Sequence, residues 1–466
     1  VTDSLARCLK TAAVVTGFLL AVLVVPCTSL AKSSPDVHTN ATDAVYTLPE
    51  CIERALEKNP RVLAAEDAVK RAGSETGVAR ADFLPQASIY TSRDTIKNVW
   101  SGGLADDNYE DQTQTTIQLQ ISQTLFAGLT IINNYQRSLL NEEYVKAQKA
   151  QEAMGLVLEV QTTFFDRLKG LEDVARLQAS VERLELNARV VRAFLDKEMI
   201  PYSNVLEVEA ELADSRQQLS QAENLVAQKT TELKTLIQVP DEMHIDFLGR
   251  LEDQVLASLP RLDDCLSQAQ ANRPEITVGE KGLAMAQKDR EIAKGRFYPR
   301  VSASFSYNER DLDYDEMASS AYGASYDQDR HNNYYKGQLT LQWDLFQGGR
   351  KAYEVQRMRH EISRVENNLR QTRDLVATQV RKSYLALREA RDRIRLTQSF
   401  LKSARENYDR ALSRLHHMVG TILEVLVVEE RLRDAEASHV KALADFRVAL
   451  AELNYAVGRR YGSQMM

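Results

Sequence analysis

Cysteine is scarce: the chain has four in 466 residues, and only Cys51 and Cys265 lie beyond residue 31. A disulfide-stapled fold, which spaces cysteines densely along a short chain, is excluded. His360-Glu361 opens like a zinc-protease motif, but Arg364 stands where the second histidine is required. No glycine-rich loop closes on Lys-Ser or Lys-Thr, so the chain does not hydrolyse nucleotide itself. Beyond the N-terminal region no apolar run reaches the ~20 residues of a membrane-crossing helix. Basic excess is missing too: 59 Lys and Arg face 66 Asp and Glu, mixed along the chain, which speaks against nucleic-acid binding. The sequence therefore predicts no enzyme, no cofactor and no metal site.

The N-terminus carries an export signal over 1–31. Arg7 and Lys10 precede an apolar run from Thr11 to Val25, and Ser29-Leu30-Ala31 offers small residues for cleavage. Val24-Val25-Pro26 lacks the small residues that lipidation of Cys27 needs. Residues 32–47 are polar and aperiodic and read as a linker.

The rest is written twice. Leu48, Cys51, Ala55, Pro60, Phe83 and Pro85 recur 214 positions on as Leu262, Cys265, Ala269, Pro274, Phe297 and Pro299. The offset then becomes 220: Leu119, Leu125, Phe126, Val205, Glu209 and Leu233 recur as Leu339, Leu345, Phe346, Val425, Glu429 and Leu453. The repeats span 48–247 and 262–458, joined by a linker at 248–261 and followed by a tail at 459–466. Cys51 and Cys265 hold the same apolar position in each copy and read as buried free thiols.

Each copy reads as a short helix, a helix running to Phe83 or Phe297, two strands, a helix of ~70 residues and a return helix. Val301, Ala303, Phe305 and Tyr307 alternate with serines; Leu339, Leu341, Trp343 and Leu345 alternate with polar residues. The first copy repeats this with Ala87 and Ile89, then Ile117, Leu119, Ile121 and Leu125. One face is apolar and one polar, as lipid outside and water inside a transmembrane barrel demand. Four strands cannot close a barrel, and an open edge in lipid leaves backbone groups unpaired. Three copies give twelve strands. The connections at 93–114 and 309–335 read as long, polar outer loops. Their acids do not follow an EF-hand spacing.

Glycines at 128 and 348–349 mark the bends into the long helices. Val174, Leu177, Val181, Leu184, Ala188, Val191 and Leu195 step by three and four, as do Leu401, Ala404, Tyr408, Ala411, Leu415 and Met418, a coiled-coil seam. Turns at Ile200-Pro201-Tyr202 and Val419-Gly420-Thr421 reverse the chain. His416 and His417 read as exposed tip residues and His439 as a packed one.

This order resembles the TolC-type outer-membrane efflux protein family over essentially the whole mature chain. The most specific pieces are Arg80-Ala81-Asp82-Phe83-Leu84-Pro85, Leu125-Phe126-Ala127-Gly128, Leu345-Phe346-Gln347-Gly348-Gly349 and Thr421-Ile422-Leu423-Glu424-Val425-Leu426. The resemblance implies an α+β, mainly helical homotrimer, with a twelve-stranded barrel in the outer-membrane lipid continued by a helical tunnel through the periplasm. It implies an exit duct for efflux or type I secretion, working with a periplasmic adaptor (membrane fusion protein) and an inner-membrane pump of RND or ABC type. The alternative is a periplasmic coiled-coil or adaptor protein without a pore. The inner tip then holds the sites: an aperture at Glu424, Asn204, Glu207, Asp196 and Glu198, and an adaptor contact at Ile200, Pro201, Tyr202, Val419, Gly420 and Thr421. The family often places glycine six residues before an acid-Val-Leu triplet. Here Glu198 and Met418 stand there, and Asn204 replaces the first copy's acid.

Overall fold

The computed structural model describes residues 44–100, 108–243, 245–251, 259–315, 330–417 and 419–459. The signal peptide, most of the linker, Met418 and the tail beyond 459 lie outside the described residues.

Helix α1 (Leu48–Lys58) starts at Thr47, whose N–H donates to the Glu50 carboxylate at 2.7 Å. It buries Cys51, Ile52 and Ala55. Asn59 then caps α2 (Pro60–Ala81) by accepting from the Arg61 N–H at 3.0 Å, with Pro60 in the first turn, where its missing N–H costs nothing. The second set runs in the same order, with α5 (Leu262–Asn272) and α6 (Pro274–Gly295). Both α2 and α6 stop two residues short of the expected Phe83 and Phe297, because the bend toward Pro85 and Pro299 takes a full turn.

Strands β2 (Gln86–Trp100), β3 (Asn108–Ala127), β5 (Arg300–Asp315) and β6 (Arg330–Gln342) form one antiparallel sheet in the order β2-β3-β5-β6. The ladders run far into the segments expected to be loops: Trp100 pairs with Asn108, and Asp111 with Asp315. Backbone hydrogen bonding does not need apolar side chains, so the hairpins outlast their apolar rows. In the other direction β6 ends at Gln342, before Trp343 and Leu345, which the alternation placed in the strand. The Trp343 indole N–H instead donates to the Phe297 carbonyl at 3.0 Å. A second, two-stranded sheet pairs β1 (Ala44–Thr47) with β4 (Ile245–Leu248), so the end of the expected linker is a strand.

The bends into the long helices are tight. Gly128 has φ 60° and lies so close to α6 that a Cβ would sit 2.1 Å from the Gly295 carbonyl oxygen. Only glycine fits such an approach. Helix α3 (Thr130–Leu195) then runs 66 residues and α7 (Arg350–His416) 67, each about 100 Å at 1.5 Å per residue. Return helices α4 (Tyr202–Leu236) and α8 (Ile422–Val457) pack antiparallel against them.

Three apolar clusters hold the helices together. One joins α1, α2, α3, α4 and β4 around Ile52, Phe164 and Leu233. Another joins α5, α6, α7 and α8 around Leu387, Phe446 and Leu453. The third joins all four long helices around Val191, Val208, Leu415 and Val425. Cys51 and Cys265 are free, buried and in different clusters. Burial pushes the Cys51 thiol up to about 12, so it stays protonated and unreactive near neutrality. Among the described residues no helix is long and apolar enough to cross a membrane.

Candidate duct wall and tip

The sheet has two chemically opposite faces. Pairings Ile89↔Leu119, Leu119↔Tyr307 and Tyr307↔Tyr335 stack one row, and Ala87↔Ile121, Ile121↔Phe305 and Phe305↔Gly337 the next. This apolar face is bare: Leu339 is 71% and Leu341 65% exposed. Tyr307 and Tyr335 lie 5.2 Å apart at its upper edge, an aromatic border. Above them Glu309, Asp311 and His331 gather, with ligand atoms within 4.8 Å of one another. His331 Nδ1 pairs with the Asp311 carboxylate, and its Nε2 lies 3.8 Å from Glu309. The sequence did not anticipate this group, because His331 and Asp311 meet only through strand register.

The other face is polar and concave. Gln118, Gln120, Ser304, Ser306, Asn308 and Gln338 line a hollow there. Ser306 and Asn308 are only 7% and 8% exposed although none of the three apolar clusters of the described residues reaches the sheet, so the sheet curls toward them. Among the described residues, strands β2 and β6 each have one partner, which leaves both edges of the sheet open.

At the far end of the helices the two turns share one apolar cluster, with Phe194, Leu195 and Ile200 packed against Leu415, Ile422 and Val425. Asp196 caps α3. The chain then passes through Glu198 at φ 57°, with Glu198 N–H donating to Leu195 O at 2.7 Å and Met199 N–H to Phe194 O at 3.0 Å. This is the six-residue helix stop that usually recruits glycine, and glutamate there costs about 1 kcal/mol of backbone strain. Glu198 thus occupies a backbone position that suits glycine better than any L side chain.

Glu424 sits three residues into the capped end of α8: its N–H donates to Thr421 Oγ1 at 3.2 Å. Its carboxylate does not stand alone, since Arg414 Nη1 lies 2.7 Å away. Asn204 is half-buried, with its N–H on Pro201 O at 3.2 Å, while Glu207, Asp196 and Glu198 are exposed. Among the described residues no hydrogen bond or ion pair joins these five side chains to one another. Of the expected contact residues, Pro201, Tyr202, Val419 and Thr421 are exposed, and Ile200 and Gly420 are half-buried. Val419 (71%) and Tyr202 (60%) leave apolar surface at the very tip.

Sequence reasoning missed a buried ionic knot behind the tip. Glu429 is fully buried and accepts from Ser180 Oγ at 2.6 Å. Arg183 reaches it at 3.3 Å and Arg433 at 3.1 Å, while Arg433 also pairs with Glu211. The knot ties α3, α4 and α8. Its only sequence signal is the i,i+4 pair Glu429 and Arg433 on a buried stripe.

The family model described as outer membrane efflux protein matches residues 51–237 and 265–459. Protein CyaE of Bordetella pertussis is 25% identical, over 88% of this chain and 84% of that protein. The cation efflux system protein CusC of Escherichia coli is 24% identical, over 87% of this chain and 82% of its own length. The solved structure of the outer-membrane channel OprN superposes with a TM-score of 0.75 at 17% identity, covering 88% of this chain and 89% of that one.

Proposed function

The chain belongs to the outer membrane efflux protein family, and we propose from that membership how it builds its duct. It is an outer-membrane exit duct with a periplasmic extension, not an enzyme. Three copies assemble, each adding four strands to a twelve-stranded barrel and two helical hairpins to a tunnel. The observation that carries this is the curled sheet with a bare apolar outside, a polar inside and two open edges. In lipid those edges must pair, and neighbouring copies offer the matching strands. The half-covered seam of α4 and the exposed Leu375, Leu385 and Leu396 on α7 supply apolar surface for the same neighbours. The recurrence of element order, residue by residue at a fixed offset, supports an internal duplication. The purified protein in detergent should have three times the chain mass by native mass spectrometry. A monomer that still conducts ions in a planar bilayer would overturn the assembly.

The tip meets a periplasmic adaptor, which an inner-membrane pump feeds, as is general in the family. Val419 and Tyr202 are the apolar anchors of that contact. Glu424 rings the aperture. Its pair with Arg414 is solvent-exposed and worth under about 1 kcal/mol, so the carboxylate can exchange Arg414 for a passing cation. Glu424→Gln keeps the shape and removes the charge. In planar-bilayer recordings it should lower cation selectivity and weaken block by multivalent cations applied at the tip. Unchanged selectivity and block, with trimers intact, would leave Glu424 as a partner of Arg414 only.

A further inference from the structure

We propose that the barrel section of the duct is an anion-attracting sleeve, set by Arg310 and Lys336 with Arg300 below them. The proposal rests on the trimeric reading above and names the class of solute its lumen favours.

The polar hollow is built almost wholly from neutral side chains: serine, threonine, asparagine and glutamine. Arg310 and Lys336 are the two charged residues lining it. Both are exposed. Register puts them on the same face: Lys336 pairs with Ser306, and Arg310 with Thr116 and Asn332. Strand alternation puts Arg300 on that face too, where its Nη2 donates to Thr124 Oγ1 at 3.2 Å. Among the described residues none of the three forms an ion pair. The carboxylate that shares this face among the described side chains is Asp94, two strands from β5, where it accepts from Ser92 Oγ at 3.2 Å. The acids Glu309 and Asp311 alternate to the opposite, outer face, so they do not neutralise the lumen.

The geometry makes these charges effective. Twelve strands about 4.8 Å apart, tilted about 40°, give a barrel radius of about 12 Å. Side chains leave an open radius of about 6 Å, below the ~8 Å Debye length at physiological salt. A solute on the axis therefore feels every wall charge. The low-dielectric wall focuses that field along the lumen. Unpaired cations among neutral amide and hydroxyl groups suit solutes carrying carboxylate, sulfonate or phosphate groups. Acids at the tip and bases in the barrel would then act in series, the barrel keeping anionic cargo moving outward.

The test uses the full-length trimer in a planar bilayer with inositol hexakisphosphate added on the side of the strand loops. Wild type should be blocked, and Arg310→Gln/Lys336→Gln should need at least tenfold more polyanion for the same block. The swap Arg310→Lys/Lys336→Arg should keep the block. Hexaamminecobalt(III) on the same side should block neither. Should the double variant fail to assemble, each single Gln variant should shift the block about threefold. Equal block in wild type and variants, or none in a conducting wild type, would overturn the proposal alone. A wild type that forms no pore would instead overturn the trimeric reading.

Discussion

Leu339→Arg should abolish accumulation of assembled channel in the outer membrane, while Gln338→Arg should leave it intact. The two residues are neighbours in β6 with opposite faces: Leu339 is 71% exposed on the apolar side, and Gln338 lines the polar hollow. From Leu341 to Tyr335 the apolar rows span about 20 Å along the strand at ~3.4 Å per residue. Leu339 lies well inside that band. An arginine near the bilayer midplane of a barrel costs about 2–4 kcal/mol, and three copies multiply the penalty. A guanidinium in the lumen stays in water and costs little. Membrane fractionation followed by unheated gel electrophoresis would count trimers of each variant. Similar trimer yields from both would mean that the apolar face does not meet lipid.

Glu429→Ala should destabilise the helical part by about 3–5 kcal/mol, the cost of removing one partner from a buried ion pair. The carboxylate has no exposure, and Arg433 beside it is 9% exposed at the side chain. Without Glu429, Arg183 keeps Glu436 at 3.3 Å and Arg433 keeps Glu211, but both lose their buried partner. Ser180 Oγ loses its acceptor as well. Glu429→Leu with Arg433→Met removes both charges and should recover most of the loss, because apolar replacement of a whole buried pair is often neutral. Thermal unfolding of the solubilised protein, followed by circular dichroism at the helix band, would read both. A single variant as stable as wild type would mean that water reaches the knot and screens it.

Much of this architecture is legible one residue type at a time. The strand alternation of Val301, Ala303, Phe305 and Tyr307 fixes which face is apolar, since a period of two leaves no other arrangement. The three-four stepping of Leu177, Val181, Leu184, Ala188 and Val191 places those side chains on one stripe, and all five are buried. Gly128 and Gly348 announce the bends, and Pro60 and Pro274 the helix starts, because their backbone limits are intrinsic.

Position in space is a different matter. Glu209 and Glu429 are the same residue at the same repeat position, yet the first is 37% exposed beside Arg192 and the second is fully buried among three helices. Identical local sequence patterns cannot report which of two equivalent side chains ends up buried. Nor can they report that Arg414 pairs with Glu424 across a turn, or that Asp311 meets His331 across a ladder. Strand lengths beyond the apolar rows also escaped the sequence, since a backbone ladder carries no side-chain signature. Periodicity and proline or glycine chemistry act within a few residues and so are written in the chain. Ion pairing, burial and strand register join residues 10 to about 250 positions apart, and only the folded backbone decides which of them meet.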